Sequence, residues 1–507
     1  MKSKYTPTIG LEIHAELNTK SKMFCGCKND PDEKRPNFNI CPVCTAQPGT
    51  LPVANEEAVK KVIKAGLALH CTITSESKFD RKNYFYPDIP KGYQVSQYDM
   101  PICSNGYLDI QVEDEGEVKS QKSKVKNPTQ NLKFKKIGIT RIHLEEDTGS
   151  SIHPEGADYS LVNYNRAGTA LMELVTEPDV TSGKEAREFA EELQLIFKYL
   201  GASDADMEKG LMRVEVNISV SKTKKFGTKV EIKNLNSFKV VEKAIDFEIT
   251  RQTELLEAGE KVVQETRGWN DKKEITFSQR EKESAHDYRY FPDPDLPPMH
   301  FTKEYIANIK AEIPELPENK RERFKKEYGL EESQIEIFVT QKDLSEYFEK
   351  VISELDEWID QKNKSEFKKI TKLASNYLIS DVQGLLSGKE FDESEFKITP
   401  ENFAEFIKMI HKNEISSKVA KMVLAEMYNT GVDPSNIVED NNWGQMKDDG
   451  QLEKIITEVI SKNPKAVADY TAGNKNSLQF LAGQVMAITR GTANPQQVQE
   501  ILKKVMK

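Results

Sequence analysis

Three short segments of the chain carry carboxylate and imidazole side chains that could share one metal ion. In residues 12–16, two glutamates and a histidine alternate with apolar residues, so a strand would place the three polar groups on one face. Residues 143–147 add a histidine and three acidic residues, and residues 172–177 add two glutamates. Carboxylate oxygens with an occasional imidazole suit Mg²⁺, which completes its shell with water and substrate phosphate. The pattern predicts magnesium-dependent phosphate chemistry if the segments meet in space, and solvated sheet surface if they do not.

Four of the six cysteines are grouped in two short knuckles, and these are Cys25, Cys27, Cys41 and Cys44. Four thiolates from two knuckles are what a tetrahedral structural zinc requires. The first pair has Cys-x-Cys spacing rather than Cys-x-x-Cys, so unligated thiols remain the alternative. A closed four-sulfur site leaves no position for substrate, and the predicted role is therefore structural.

Cationic and amide side chains stand at several positions suited to phosphate or carboxylate. A guanidinium beside small residues reaches such a group without crowding. Prolines in residues 286–298 prevent a helix and hold arginine, tyrosine and aspartate side chains on an extended ribbon, where they can face a ligand. The alternative is a crossing segment whose rings pack on the core. The residues predicted to contact a phosphorylated cofactor are Arg166, Arg213, Lys233, Asn234 and Arg289.

Composition narrows the class of protein. The chain of 507 residues is long enough for about three domains. Its 82 acidic residues outnumber 72 basic ones, giving a net charge of −10, so any contact with nucleic acid must be local. The sequence has no apolar run of membrane-spanning length and no apolar leader at its start, which predicts a cytoplasmic protein. It also lacks the phosphate-loop, nucleophile-elbow and dinucleotide-binding motifs, so any ATP site must bind the phosphates without a phosphate loop.

The organisation predicted along the chain is α+β. Short β-branched runs dominate the first 300 residues, with amphipathic helices only at residues 56–69 and 184–200. After that, charged helical segments follow one another to the C-terminus, with turn signals between them. We therefore predict a sheet-rich domain over residues 1–300, a helical connector over residues 301–398 and an all-α tail over residues 399–507.

Several of these blocks occur in the same order in the GatB proteins of the tRNA-dependent amidotransferases, the GatCAB complexes. The resemblance spans nearly the whole chain, and the tail resembles small YqeY-like helical proteins. The blocks are residues 9–14, 77–88, 144–147, 174–179, 233–238 and 287–292, followed in the tail by residues 480–486 and 491–495.

The resemblance implies a ligase that acts on mischarged tRNA. ATP would phosphorylate the side-chain carboxylate of Glu-tRNA(Gln) or Asp-tRNA(Asn), and ammonia would then displace phosphate. It implies Mg²⁺ at the catalytic site of a cradle domain and structural Zn²⁺ at the cysteines. In that family the amidase GatA releases the ammonia from glutamine, the small protein GatC joins GatA and GatB in a heterotrimer, and the helical and tail domains contact tRNA.

The resemblance also assigns roles to single residues. The residues on family positions for Mg²⁺ are Glu12, His14, Glu146 and Glu173, with Glu145 in an outer position beside them. Lys82 and Glu146 fall where the ammonia passage is thought to open into the phosphorylation site. Two departures stand out: Asn163 occupies a position where aspartate is common, and the lysine-rich segment at residues 119–136 is longer than expected.

Two other classes of function remain open from the sequence. The chain could be a scaffold that only positions tRNA for a catalytic partner, although its acidic charge and its carboxylate-rich segments argue against that. It could also be a free-standing zinc-dependent hydrolase, which would need an open three-ligand site that the cysteine knuckles do not offer. The sequence does not distinguish a glutaminyl from an asparaginyl route.

Overall fold

The computed structural model describes residues 4–113, 132–281, 288–358, 364–444, 449–489 and 491–506. Most of the lysine-rich segment, as well as His286 and Asp287, lies outside these residues. The chain divides into two compact units, Met1–Pro317 and Glu318–Lys507. The first is rich in strands and the second is helical, so the predicted α+β class is confirmed. The finer division at residues 300 and 398 stays a prediction.

The strands of the described residues all lie in the first unit. They are β1 (Thr6–Glu16), β2 (Thr72–Ile73), β3 (Glu76–Ser77), β4 (Asp80–Asn83), β5 (Tyr93–Ser96), β6 (Cys103–Glu113), β7 (Leu132–Glu146), β8 (Ser150–Ile152), β9 (Leu161–Asn163), β10 (Ala170–Thr176), β11 (Met212–Ser221), β12 (Val230–Leu235), β13 (Glu265–Asn270), β14 (Ile275–Glu281), β15 (Phe291–Pro292) and β16 (Met299–His300).

Nine of these strands form one sheet, in the order β14-β13-β12-β11-β1-β10-β7-β6-β2. Strand β1 lies in the middle and is antiparallel to both β10 and β11. A three-stranded sheet, β15-β4-β5, and the pairs β16-β3 and β8-β9 complete the strand pairing. The central position of β1 places its polar residues between those of its neighbours.

The helices begin with α1 (Glu56–Ala68) and α2 (Gly183–Tyr199), which match the two helices predicted in the first unit. The sequence does not predict helix α3 (Phe238–Glu257), because the buried polar residues Glu248 and Gln252 interrupt its apolar stripe. The others are α4 (Lys303–Ala311), α5 (Pro317–Arg323), α6 (Glu332–Thr340), α7 (Lys342–Trp358), α8 (Lys364–Asn376), α9 (Gln383–Leu386), α10 (Pro400–His411), α11 (Ser417–Thr430), α12 (Pro434–Asp440), α13 (Asp449–Lys462), α14 (Pro464–Thr471), α15 (Lys475–Ile488) and α16 (Pro495–Val505), with π-helical turns at Phe324–Tyr328 and Tyr377–Val382.

The alternation of β1 separates the core from the candidate site. Ile9, Leu11 and Ile13 are at most 1% exposed and pack in the core with residues of α1, α2 and α3. Burying each such side chain contributes about 1.5–3 kcal/mol. Because successive side chains of a strand point to opposite faces, Glu12 and His14 lie on the other face of the sheet.

Candidate functional site

The carboxylate of Glu173 lies between two imidazoles contributed by neighbouring strands. In the strand register, His14 of β1 is paired with Glu173 of β10, and Glu173 is paired with His143 of β7. Nε2 of His14 lies 3.3 Å from Oε2 of Glu173, and Nε2 of His143 lies 3.5 Å from the same oxygen. Directly paired residues of antiparallel strands bring their side chains into contact, so the pairing itself assembles this group.

Two further glutamates extend the group at opposite ends. Oε1 of Glu145 lies 3.2 Å from Nε2 of His143, and Oε1 of Glu12 lies 3.9 Å from Nε2 of His14. One possible ligand atom from each of Glu12, His14 and Glu173 falls within 4.8 Å of the others, and the same holds for His143, Glu145 and Glu173. This donor set, rich in carboxylate oxygen with imidazole beside it, fits a hard divalent cation.

The site carries an excess of buried negative charge. Burial, together with the nearby charges of Glu173 and Glu215, raises the pKa of Glu12. Burial is the largest single effect and favours the neutral form of His14. The hydrogen bond with Glu173 and the negative charges of Glu173, Glu145 and Glu215 together outweigh it and raise the pKa of His14 to about 9. The imidazole therefore carries positive charge when no metal is bound, and a cation could replace that charge.

Lys82 places a fixed cation beside Glu145. Its Nζ lies 3.9 Å from Oε1 of Glu145 and over the rings of Tyr84 and Tyr288, at 6.0 and 5.3 Å from their centroids. Burial is the largest single effect and opposes the charge on this lysine, but Glu145, Tyr290 and Glu173 together hold the pKa of Lys82 above its usual value. Burial likewise opposes ionisation of Glu145, while Lys82 and His143 hold its pKa well below its usual range.

Glu146 lies outside this group. It follows Glu145 in β7 and so points to the opposite face of the strand. Its Oε1 accepts a hydrogen bond of 2.9 Å from the backbone N–H of Val95, and its Oε2 is bound by Nζ of Lys91. Glu146, Lys91 and Cys44 line a small cavity. The structure thus brings Glu12, His14, Glu145 and Glu173 together, and places Glu146 on the other side of the strand.

Arg166 and Arg213 converge on the buried carboxylate of Asp147. Nη2 of Arg213 donates to Oδ2 of Asp147, and Nε of Arg166 lies 3.6 Å from the same oxygen. Arg166 also donates to the carbonyl oxygens of Thr148 and Gly149, at 3.0 and 2.9 Å. Both guanidinium groups are therefore fixed in position near the end of β1.

Lys233 lies in a second group of carboxylates on the same sheet face. Its Nζ is 2.7 Å from Oε2 of Glu215 and 3.5 Å from Oε1 of Glu231. Burial would lower the pKa of this lysine, but Glu215 and Glu231 raise it to about 12. The next residue, Asn234, is exposed and has a φ of 62°, in the left-handed region. This region thus combines a retained cation with an exposed amide.

The proline-rich ribbon is held against β4. Phe291 of β15 is paired with Arg81 of β4, and Nε of Arg81 lies 2.8 Å from Oδ2 of the buried Asp293. The ribbon also contributes Tyr288, whose ring faces Lys82. Arg289 has a φ of 43°, and its carbonyl oxygen accepts a hydrogen bond of 2.8 Å from Nδ2 of Asn83.

The sulfur atoms of Cys25, Cys27, Cys41 and Cys44 all lie within 4.8 Å of one another, and none of them is in a disulfide. A hydrogen bond from Cys25 is the main reason that the pKa of Cys44 falls to about 5, since it outweighs the opposing effect of burial. One thiolate is therefore already favoured, as a metal site requires. The donor set fits a tetrahedral, sulfur-ligated ion.

Asparagine side chains connect the cysteine knuckles to the turn after β9. Oδ1 of Asn163 accepts hydrogen bonds of 3.0 Å from the backbone N–H groups of Asn37 and Asn165. Oδ1 of Asn165 accepts from the N–H groups of Phe38 and Asn39, at 2.8 and 3.0 Å. Asn163 therefore acts here through an acceptor oxygen, which an aspartate at this position would also supply.

Sequence reasoning counted His143 among the possible metal donors but gave it no role of its own, and it named no role for Glu215 or Glu231. A signal for His143 was present, because it stands two residues before Glu145 and must share its strand face. No local pattern reveals that Glu215 and Glu231 approach Glu12, since this depends on the order of strands in the sheet. Among the described residues, none of the helices has the length and apolar character that crossing a membrane demands.

Comparison with known proteins identifies the family of this chain. Residues 7–307 match the model of the GatB/GatE catalytic domain, and residues 346–506 match that of the GatB domain. The chain is 46% identical to the B subunit of the aspartyl/glutamyl-tRNA(Asn/Gln) amidotransferase of Persephonella marina, over 99% of this chain and 100% of the relative. The proteins of the same name from Caldanaerobacter subterraneus and Thermotoga maritima are 47% and 44% identical, each over 99% of both chains. The chain therefore belongs to the GatB family, the B subunits of the aspartyl/glutamyl-tRNA(Asn/Gln) amidotransferases.

Proposed function

We propose that this chain is the part of a ligase that activates a mischarged aminoacyl-tRNA. ATP phosphorylates the side-chain carboxylate of Glu-tRNA(Gln) or Asp-tRNA(Asn), and ammonia then displaces phosphate to give Gln-tRNA(Gln) or Asn-tRNA(Asn). Membership of the GatB family supports the reaction. The observation that carries it is the buried group formed by Glu173, two histidines and Glu145, with Lys82 beside it.

In this proposal Glu12, His14, Glu145 and Glu173 hold Mg²⁺. When bound, the ion neutralises charge on the phosphate oxygens and orients ATP. Phosphoryl transfer requires positioning and charge more than a covalent nucleophile, which agrees with a site made of carboxylates, imidazoles and a lysine. His143 orients Glu145 and Glu173 through its Nε2 contacts.

Arginine and lysine side chains at the rim of the sheet face are proposed to bind the phosphates of ATP or tRNA. Arg166 and Arg213 are fixed by Asp147, so little side-chain freedom is lost when they meet an anion. Lys233 retains its proton among carboxylates. Asn234 and Arg289 complete the proposed set of nucleotide-binding residues.

Ammonia is proposed to arrive from a partner amidase, GatA, held to this chain by GatC in a heterotrimer. Lys82 and Glu146 line its final route, with Lys91 as the partner of Glu146. A polar passage that excludes water protects an acyl phosphate from hydrolysis. The burial of Glu145 and Glu173 agrees with this need for protection.

The four cysteines are proposed to bind structural Zn²⁺. The α-helical tail, residues 399–507, is proposed to contact tRNA, and residues 301–398 are proposed to connect it to the first domain. Lys462 and Lys465 line a concave surface in the tail together with Phe480, a combination suited to a nucleic-acid backbone and an unstacked base. The complex is proposed to act in the cytoplasm, where tRNA is charged.

The test uses the reconstituted heterotrimer supplied with ammonium chloride in place of glutamine. Wild-type protein should convert mischarged tRNA to amidated tRNA only when ATP and Mg²⁺ are present. Glu12→Ala together with His14→Ala should abolish this reaction while leaving the binding of tRNA unchanged. Full activity of that double variant would favour the scaffold function instead.

A further inference from the structure

Lys22 is a lysine buried within the first unit. It is 1% exposed and lies in the segment that leads from β1 to the first cysteine knuckle. Its backbone N–H donates to the carbonyl oxygen of Cys27 at 3.0 Å. An ammonium group at such depth is costly unless an anion or several acceptors compensate it.

The acceptors of the Lys22 ammonium are a sulfur and a carbonyl oxygen. Nζ lies 3.7 Å from Sγ of Cys44 and 3.2 Å from the carbonyl oxygen of Tyr164. Within the part of the chain that the structure describes, no carboxylate forms an ion pair with Lys22. The charge of this lysine is therefore directed at the cysteine cluster.

The charge of a four-thiolate site explains why a lysine belongs there. A divalent ion held by four thiolates carries a net charge of −2, and the cluster is at least partly buried. We propose that Lys22 is the counter-ion of this site and that its ammonium sets the affinity of the site for metal. This inference rests on the zinc site proposed above.

The two contacts of the Lys22 ammonium also lead towards the proposed phosphorylation site. The carbonyl oxygen that Lys22 binds belongs to Tyr164, in the turn that also carries Arg166. Cys44, the sulfur partner, lines the cavity that contains Glu146 and Lys91. Lys22 thereby connects the metal knuckles to the loop that holds one of the proposed anion-binding arginines.

The experiment measures metal affinity of the full-length chain. Zn²⁺ is titrated in competition with a chromophoric chelator, and Co²⁺ is followed by its thiolate charge-transfer absorption. Lys22→Met keeps the aliphatic stem and removes the charge, so we expect affinity to fall about 10- to 100-fold. Lys22→Arg should restore most of it, and Lys20→Met, a change at an exposed lysine of the same segment, should leave it unaltered.

Two outcomes would separate this inference from the zinc proposal. If wild-type protein binds no zinc, the site itself fails before any variant of Lys22 is made. If wild-type protein binds zinc and folded Lys22→Met binds it within twofold as tightly, the role of Lys22 alone is overturned.

A second measurement covers the case in which Lys22→Met does not fold in the wild-type background. In chelator-treated Cys44→Ser protein the ammonium has lost its anionic partner, so adding Lys22→Met should leave the melting temperature unchanged or raise it. A decrease there would show that Lys22 acts through packing, and would reject its role as counter-ion.

Discussion

His14 and Glu173 are directly paired across two antiparallel strands, and Nε2 of the histidine lies 3.3 Å from Oε2 of the glutamate. The two residues are 159 positions apart in sequence, so only the sheet brings them together. Each residue stabilises the charged form of the other. Glu173 raises the pKa of His14, while His143 and His14 act against burial and lower the pKa of Glu173.

Glu173→Gln should remove most of the ATP-dependent activity. The amide keeps the shape of the side chain but cannot balance a cation or a charged imidazole, so we expect a decrease of at least about 100-fold in amidation with ammonium. Thermal unfolding and tRNA binding should be measured in parallel. Glu177→Gln, an exposed glutamate just after the same strand, is the matched control and should retain activity.

Glu145→Gln and Glu146→Gln should differ in their response to Mg²⁺. Glu145 contacts His143 within the proposed metal site, while Glu146 is bound by Lys91 and Val95 on the other strand face. We expect the Mg²⁺ concentration for half-maximal activity to rise about 10- to 100-fold for Glu145→Gln and to stay near the wild-type value for Glu146→Gln. The reverse result would support Glu146, rather than Glu145, as a metal ligand.

Asn163→Ala should destabilise the first unit, because two backbone N–H groups lose their acceptor. One of these bonds is exposed and the other part-buried, so water can partly replace the lost acceptor, and we expect a loss of about 0.5–1.5 kcal/mol. Asn163→Asp keeps an acceptor oxygen in place and should change the free energy of unfolding by much less. Chemical denaturation of both variants measures the difference, and equal effects would contradict this role.

Glu16→Gln should flatten the dependence of stability on pH. Burial and the neighbouring Asp147 raise the pKa of Glu16 from 4.5 to about 8. The folded state therefore keeps a proton that the unfolded state releases, and the contribution of Glu16 to stability is lost as pH rises from about 4.5 to about 8. Glutamine cannot ionise and can still donate a hydrogen bond to Asp147.

Melting temperatures at pH 5 and pH 8 test the prediction for Glu16. The loss of stability between the two values should be smaller in Glu16→Gln than in wild type. Asp204→Asn, at an exposed acidic residue of the same unit, serves as control for unspecific charge effects. An identical decrease in wild type and Glu16→Gln would mean that Glu16 titrates normally.

The helices of the first unit could be predicted where their apolar residues recur with clear helical spacing. Helices α1 and α2 have continuous apolar stripes and acidic first turns, so the sequence predicts them. Helix α3 escapes prediction because Glu248 and Gln252 are fully buried within it. Arg251, three residues further along the same helix, pairs with Glu248. The other partners of Glu248, Thr276 and Arg267, come from β14 and β13 and approach it only in the folded structure, so the sequence of the helix does not reveal the full compensation.

The candidate site was predictable to the level of strands but not of strand faces. Alternation correctly groups Glu12 with His14. The choice between Glu145 and Glu146 depends on which side chains of β7 lie on the same sheet face as Glu173 of β10. That choice is made by pairing Leu171 with Glu145, a long-range contact. The convergence of Arg166 and Arg213 on Asp147 is likewise a tertiary property that residue types alone do not encode.

The pairing of β7 with β10 makes the candidate site sensitive to a register shift of one residue. Deleting one residue between Ile137 and Ile142 would shift the register of β7 against β10. Leu144 and Glu146 would then take the sheet face that His143 and Glu145 now occupy. Charged groups would then enter the apolar core, and aliphatic ones would take their place beside Glu173. The number of residues inside β7 is therefore fixed by the side chains that must face Glu173.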